Sequence, residues 1–244
     1  LTTPMCRIAG IISNSHTDLL YPRVKAMCTV MQHGGPDDEG IYLNPEKGIA
    51  MGHRRLSLLD LSQAGHQPMS AGEEYLWICY NGEVYNFKEI RADLEASGHL
   101  FKSGTDTEVI LKAYLQWGTA AFAKFNGMFA FALADLRKDV VFLVRDSAGI
   151  KPLYYSTAGA GLTFASEVRA FKESGLPREQ NENMQLLLLA FGHIPEPYTT
   201  LKNVFALPKG HYLSFNLSSG KYKINAFRRL RFTEPKVSSR SDVI

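Results

Sequence analysis

The stretch MFAFALADLRKDVVFLVR, Met128 to Arg145, reads as a β-hairpin. Two runs rich in aromatic and β-branched residues, Met128 to Ala134 and Val140 to Arg145, flank a polar turn at Asp135 to Asp139. Further hairpins lie on the C-terminal side. Leu153 to Ser156 and Leu162 to Ala165 flank Ala158-Gly159-Ala160-Gly161, while His211 to Leu217 and Lys221 to Ala226 flank Ser218-Ser219-Gly220. On the N-terminal side, Ile8 to Ser13 reads as a buried strand, and Ile41 to Asp60 as two strands about a turn at Asn44 to Gly48. Tyr75 to Tyr80 reads as a strand ending in a tight turn at Asn81-Gly82. Helical spacing links Leu20, Val24, Met27, Cys28 and Met31, with Gly34-Gly35-Pro36 as the stop. Further helices are predicted at Lys88 to Ala96, Asp106 to Trp117 and Glu182 to Phe191. Many hairpins with helices grouped between them predict an α+β fold of helix-covered antiparallel sheets, not a parallel βαβ sheet.

Composition narrows the function classes. The 244 residues are 45% hydrophobic and 21% charged, an ordinary globular balance. A net charge of +3 is too small to point to nucleic acid or an anionic membrane. That excess is uneven: from Lys202 onward there are 9 Lys and Arg against 2 Asp and Glu, so the body before it is mildly acidic. No apolar run approaches the ~18–20 residues of a membrane span, and the richest, Met184 to Phe191, has the length of a core helix. No secretory signal is read at the N-terminus. Three widely spaced cysteines, Cys6, Cys28 and Cys79, suit a reducing, cytoplasmic setting, with the latter two read as small buried hydrophobes. P-loop, dinucleotide and Ser-elbow motifs are absent, and the seven His have no metal-ligand spacing.

Four polar clusters at strand ends carry the chemistry. In Met5-Cys6-Arg7-Ile8, a cysteine stands one residue before a buried strand. Were Met5 removed, the α-amine of Cys6 (ordinary pKa ~7.7–8) could serve its own thiol as general base. In His53-Arg54-Arg55-Leu56-Ser57-Leu58-Leu59-Asp60, a guanidinium at the end of an apolar run can hold a carboxylate, or simply snorkel at the surface. Tyr80-Asn81-Gly82-Glu83 is either a plain turn or, through the Asn amide and Gly N–H, a pair of oxyanion donors. Ser103-Gly104-Thr105-Asp106-Thr107-Glu108 is a helix N-cap with an acidic first turn, in which Asp106 can also face an amine. Spacing alone does not bring the four together.

Together they resemble the glutaminase domains of asparagine synthetases, class II glutamine amidotransferases with an N-terminal nucleophile. Gly35-Pro36-Asp37-Asp38-Glu39-Gly40, Phe125 to Ala132, Arg145-Asp146 with Gly149 to Tyr155, Phe164 to Glu167 and Leu207 to Leu213 extend the likeness from Cys6 to about Phe232. The resemblance implies a four-layer αββα sandwich of two antiparallel sheets, the N-terminal nucleophile hydrolase fold. It implies Cys6 as nucleophile, with Asn81 and Gly82 as the oxyanion hole. Arg55 would clamp the α-carboxylate of L-glutamine and Asp106 its ammonium, with Glu83 and Leu56, Ser57, Leu58 and Leu59 as the remaining wall. Implied domains are an extension at 1–5, the glutaminase at 6–217, and a linker with the start of a synthetase domain at 218–244. No cofactor or metal is expected in this domain. ATP and magnesium belong with the C-terminal synthetase domain of the longer chain, which would amidate aspartate. Nucleic acid and membrane are not expected as partners, and homodimerisation is left open. The alternatives are the same glutaminase serving another acceptor, or a catalytically silent structural or regulatory domain. Leu1 to Pro4 precede Met5, and while Cys6 is not first its nitrogen is a non-basic amide, so no hydrolysis is expected from that form. Three further departures stand out: Arg7 where the family usually has a small residue, Gly34 in place of the Arg of H-R-G-P-D, and Ser147 in place of the second Arg of R-D-R-x-G.

Overall fold

Alternation along the hairpin first quoted gives its sheet two faces of different size. Phe129, Phe131 and Leu133 point to one side, and Ala130, Ala132 and Ala134 to the other. The computed structural model describes residues 5–56, 65–70, 72, 74–159 and 161–228. Among them the elements run β1 (Arg7–Ile12), α1 (Leu20–Val30), β2 (Asp38–Asn44), β3 (Ile49–Arg55), β4 (Leu76–Val84), α2 (Phe87–Ala96), α3 (Asp106–Trp117), β5 (Gly127–Asp135), β6 (Val140–Arg145), β7 (Tyr154–Ser156), β8 (Leu162–Ala165), α4 (Met184–Phe191), β9 (Phe205–Ala206), β10 (His211–Asn216) and β11 (Tyr222–Ala226). The strands form two antiparallel sheets, ordered β2-β3-β1-β8-β7-β9 and β11-β10-β6-β5-β4.

Four layers follow from which face each residue serves. Ile8, Ile12, Ile49 and Met51 of the first sheet meet Ala130, Ala132, Ala134, Val141 and Leu143 of the second. Alanines at that seam let the backbones approach closely. On the outer face of the first sheet, Ala9, Ile11 and Ala50 pack against Val24, Met27 and Cys28 of α1. On the outer face of the second, the β5 aromatics meet Val109, Ile110 and Tyr114 of α3 and Ile90 and Leu94 of α2. Phe122, in a 3-10 turn at Gly118–Lys124, sets its edge against Phe131, Phe142 and Tyr212. Each buried aromatic of this layer contributes about 1.5–3 kcal/mol.

Three expectations are corrected. Asn81-Gly82 is no turn: β4 runs straight through it, paired residue for residue with β5 from Leu76↔Asp135 to Val84↔Gly127. The tight-turn preference of Asn-Gly yields here to nine residues of ladder. The apolar helix α4 contributes no buried residue, with Leu189 86% exposed, so it is not a core helix. Finally, β11 pairs with β10 from His211↔Ala226 to Phe215↔Tyr222, so the folded body runs past the boundary set at Leu217 to at least Ala226. The short β9 and the 3-10 turns at Thr17–Leu19, Gly118–Lys124 and Val168–Glu173 carry too few residues for a periodic signal.

Candidate active site

Cys6 lies one residue before β1, an interior strand of the first sheet. Its Sγ accepts a hydrogen bond from the Leu56 N–H at 3.3 Å and donates to the Leu56 carbonyl at 3.6 Å. Leu56 directly follows β3, so the ladder that pairs Arg7 with Arg54 also delivers this contact. Burial pushes the Cys6 thiol up, while the Leu56 backbone and the positive charges of Arg55 and Lys151 counter it.

The thiol opens into a cavity of about 400 Å³. Its opposite wall is β4, at the edge of the second sheet, through Tyr80, Asn81, Gly82 and Glu83. Asn81 is buried, and its Nδ2 has no hydrogen-bond partner. Gly82 has φ +153°, and an added Cβ would run into the Met128 carbonyl oxygen of β5. The position therefore requires glycine on two counts, conformation and space.

Charges of both signs border the same space. Asp106 is the first residue of α3, whose N-cap Thr105 accepts from the Glu108 N–H. The Asp106 Oδ2 accepts from the Tyr80 hydroxyl at 2.6 Å and from the Val84 N–H at 3.0 Å. Burial pushes its carboxyl above the ordinary range, and those two donors pull it back. Tyr80 is itself fixed, with its N–H on Gln67 Oε1 at 2.7 Å. Arg55, at the end of β3, is buried against the cavity, and Arg54 beside it bonds Glu39 Oε2 at 2.6 Å. Neither arginine is a snorkelling surface residue.

Lys151 enters from a loop held by one carboxylate. Asp146 accepts from the N–H groups of Ala148, Ile150 and Lys151, each at 3.0 Å, and of Phe129 at 3.1 Å. Burial lowers the Lys151 ammonium below the ordinary lysine range, and its Nζ lies 2.7 Å from Met5 Sδ.

The chain matches the family model described as glutamine amidotransferase domain over residues 5–227. It belongs to that family. The amidotransferase domain is 38% identical over 232 residues to a Methanocaldococcus jannaschii protein provisionally named a second glutamine-hydrolysing asparagine synthetase, covering 87% of this chain and 44% of the relative. It is 35% identical over 236 residues to glutamine-hydrolysing asparagine synthetase 2 of Bacillus subtilis, covering 93% and 31%. The chain thus spans less than half the length of these relatives. Among solved structures, the glutamine phosphoribosylpyrophosphate amidotransferase of B. subtilis superposes with a TM-score of 0.68 at 18% identity, over 91% of this chain and 49% of that one. That likeness places the amidotransferase domain in the expected two-sheet sandwich.

The structure brings Cys6, Arg55, Leu56, Asn81, Gly82, Glu83 and Asp106 to one cavity. Ser57, Leu58 and Leu59 lie outside the described residues. Sequence reasoning assigned no role to Lys151, Gln67 or Met128, which also line it. Tyr80 stood inside a quoted cluster, but its tie to Asp106 crosses 26 residues and leaves no spacing signal. Among the described residues, no group of three or more His, Cys, Asp or Glu could hold a metal ion.

Proposed function

We propose that this amidotransferase domain hydrolyses L-glutamine to L-glutamate and ammonia, with Cys6 as an N-terminal nucleophile. The observation that carries the reading is the buried, unpartnered Nδ2 of Asn81 on the cavity that holds the Cys6 thiol. A buried orphan donor is costly unless a ligand atom completes it. In this reading the free α-amine of Cys6 takes the thiol proton, and Sγ attacks the side-chain amide carbon. The oxyanion forms against Asn81 Nδ2 and the Gly82 N–H, the Cys6 α-ammonium returns its proton to the departing nitrogen so that ammonia leaves, and water, deprotonated by the same amine, resolves the thioester to glutamate and the free thiol. Arg55 receives the α-carboxylate and Asp106 the α-ammonium, so both ends of a free amino acid are read. Glu83 completes the wall beside them.

Ammonia is then consumed by the remainder of a longer protein, as the extra length of the relatives supports. By analogy with their names, aspartate is the acceptor, and ATP and magnesium are bound in that remainder. A cytoplasmic setting belongs to the proposal, which the three free cysteines suit.

The test is glutamate release from glutamine by protein beginning at Cys6, with Cys6→Ala as control. Activity only in the former, and none while Met5 is attached, is expected; equal rates in the two would overturn the assignment. Glutamine should also shield Cys6 from alkylation, and Arg55→Ala should weaken that shielding.

A further inference from the structure

Arg7 and Gly34 occupy one space. The Arg7 side chain is buried, and a Cβ built on Gly34 would stand 2.8 Å from Cγ and Cζ of Arg7 and equally close to the Met5 carbonyl oxygen. Gly34 has no positive φ, so its own conformation does not call for glycine; the room it leaves is filled by the Arg7 side chain and, while Met5 is attached, by the Met5 carbonyl. From there Arg7 Nη1 donates to the Met5 carbonyl at 2.7 Å and to the Cys6 carbonyl at 3.1 Å. Its Nε donates to Glu167 Oε1 at 2.6 Å; that oxygen also lies 3.0 Å from His33 Nε2, and Glu167 Oε2 pairs with Arg169 Nε at 2.8 Å.

We propose that Arg7 is a positioning residue for the Cys6 nucleophile, and that Gly34 is small in order to admit it. The proposal rests on the reading of Cys6 given above. Cys6 lies outside the β1 ladder, so its backbone needs a hold of its own. When Met5 is removed, its carbonyl is lost to Arg7, but the bonds to the Cys6 carbonyl and to Glu167 remain. A planar fork with several donors suits two partners in different directions, which a lysine ammonium serves less well.

The experiment uses protein beginning at Cys6 and compares Arg7→Ala, Arg7→Lys, Gly34→Ala, the double Arg7→Ala/Gly34→Ala, and the swap Arg7→Gly/Gly34→Arg. Readouts are glutamine kcat and KM, and the alkylation rate of Cys6 by iodoacetamide. Arg7→Ala is expected to lower kcat by up to about 10²-fold, the scale of a misplaced reacting group, with KM little changed. Arg7→Lys should recover part of the loss. Gly34→Ala, by displacing the guanidinium, should act in the same direction, and the double variant should be no worse than Arg7→Ala alone. The swap should exceed Arg7→Ala in kcat. Additive losses at 7 and 34, or unchanged kcat and alkylation in Arg7→Ala, would overturn the proposal. If the parent protein does not hydrolyse glutamine, the functional reading fails. The positioning role is then decided by alkylation, which must slow in Arg7→Ala and in Gly34→Ala but no further in the double variant.

Discussion

Asn81 holds a polar nitrogen away from water with nothing to bond, a situation that costs about 1–3 kcal/mol. A residue retained at such a cost for stability would be odd, and the proposed oxyanion-donor role accounts for it. Asn81→Ala is therefore expected to reduce kcat about 10²–10³-fold with thermal stability unchanged or raised, checked by steady-state kinetics beside a melting curve. Tyr80→Phe tests the other end of the substrate. Without the hydroxyl, the Asp106 carboxyl, already raised by burial, rises further, so the carboxylate is lost at higher pH. The acid limb of KM for glutamine should move upward in pH. At this scale the sequence was informative where a residue type has few alternatives. A cysteine heading a strand, an arginine closing one and an aspartate opening a helix each suggest a charge or nucleophile. Tyr80 and Lys151 were not legible, because a phenol inside an aromatic-rich strand and a lysine in a turn have many ordinary explanations.

The helices and strands place those groups through local chemistry. Thr105 caps α3 and holds Asp106 at its first turn, so Thr105→Ala should cost about 1 kcal/mol in urea denaturation and raise KM as the turn frays. The alanine face of β5 sets how near the sheets stand. Ala132→Leu should destabilise by about 1–3 kcal/mol through overpacking, measured by the same denaturation, and should slow hydrolysis by moving β4 relative to Cys6. The aromatic and β-branched runs of β5 and β6 and the helical spacing of α1 were plain in the sequence, because each extends over several residues. Asn81-Gly82 misled, since the dipeptide is a hairpin signal in isolation and only the partner strand β5, some fifty residues on, shows that the ladder continues. Helix α4 misled in another way: composition reports how apolar a segment is, not whether anything covers it.

At the scale of the molecule, one buried histidine couples the site to pH. His53 is fully buried, its Nε2–H donating to the Tyr80 carbonyl at 2.9 Å and its Nδ1 without a partner. Burial pushes its pKa down to about 4. The unfolded chain therefore takes the proton first, so the contribution is full above about pH 6.5 and is lost as pH falls through about 4. The span corresponds to about 3 kcal/mol, and His53→Gln should flatten the dependence of the urea midpoint on pH across that window.

The division of the site between two sheets has a further consequence. Cys6 rides on the first sheet and Asn81 with Gly82 on the second, so the proposed chemistry depends on their alignment. During refolding, strand content measured by far-UV circular dichroism should return before glutaminase rate, because neither sheet alone carries the proposed centre. In the proposed reading, an amino acid lodged between them acts as a clasp. Saturating glutamine analogue should slow amide hydrogen exchange in β1 and β4 together, two strands that share no ladder and would otherwise open on separate clocks.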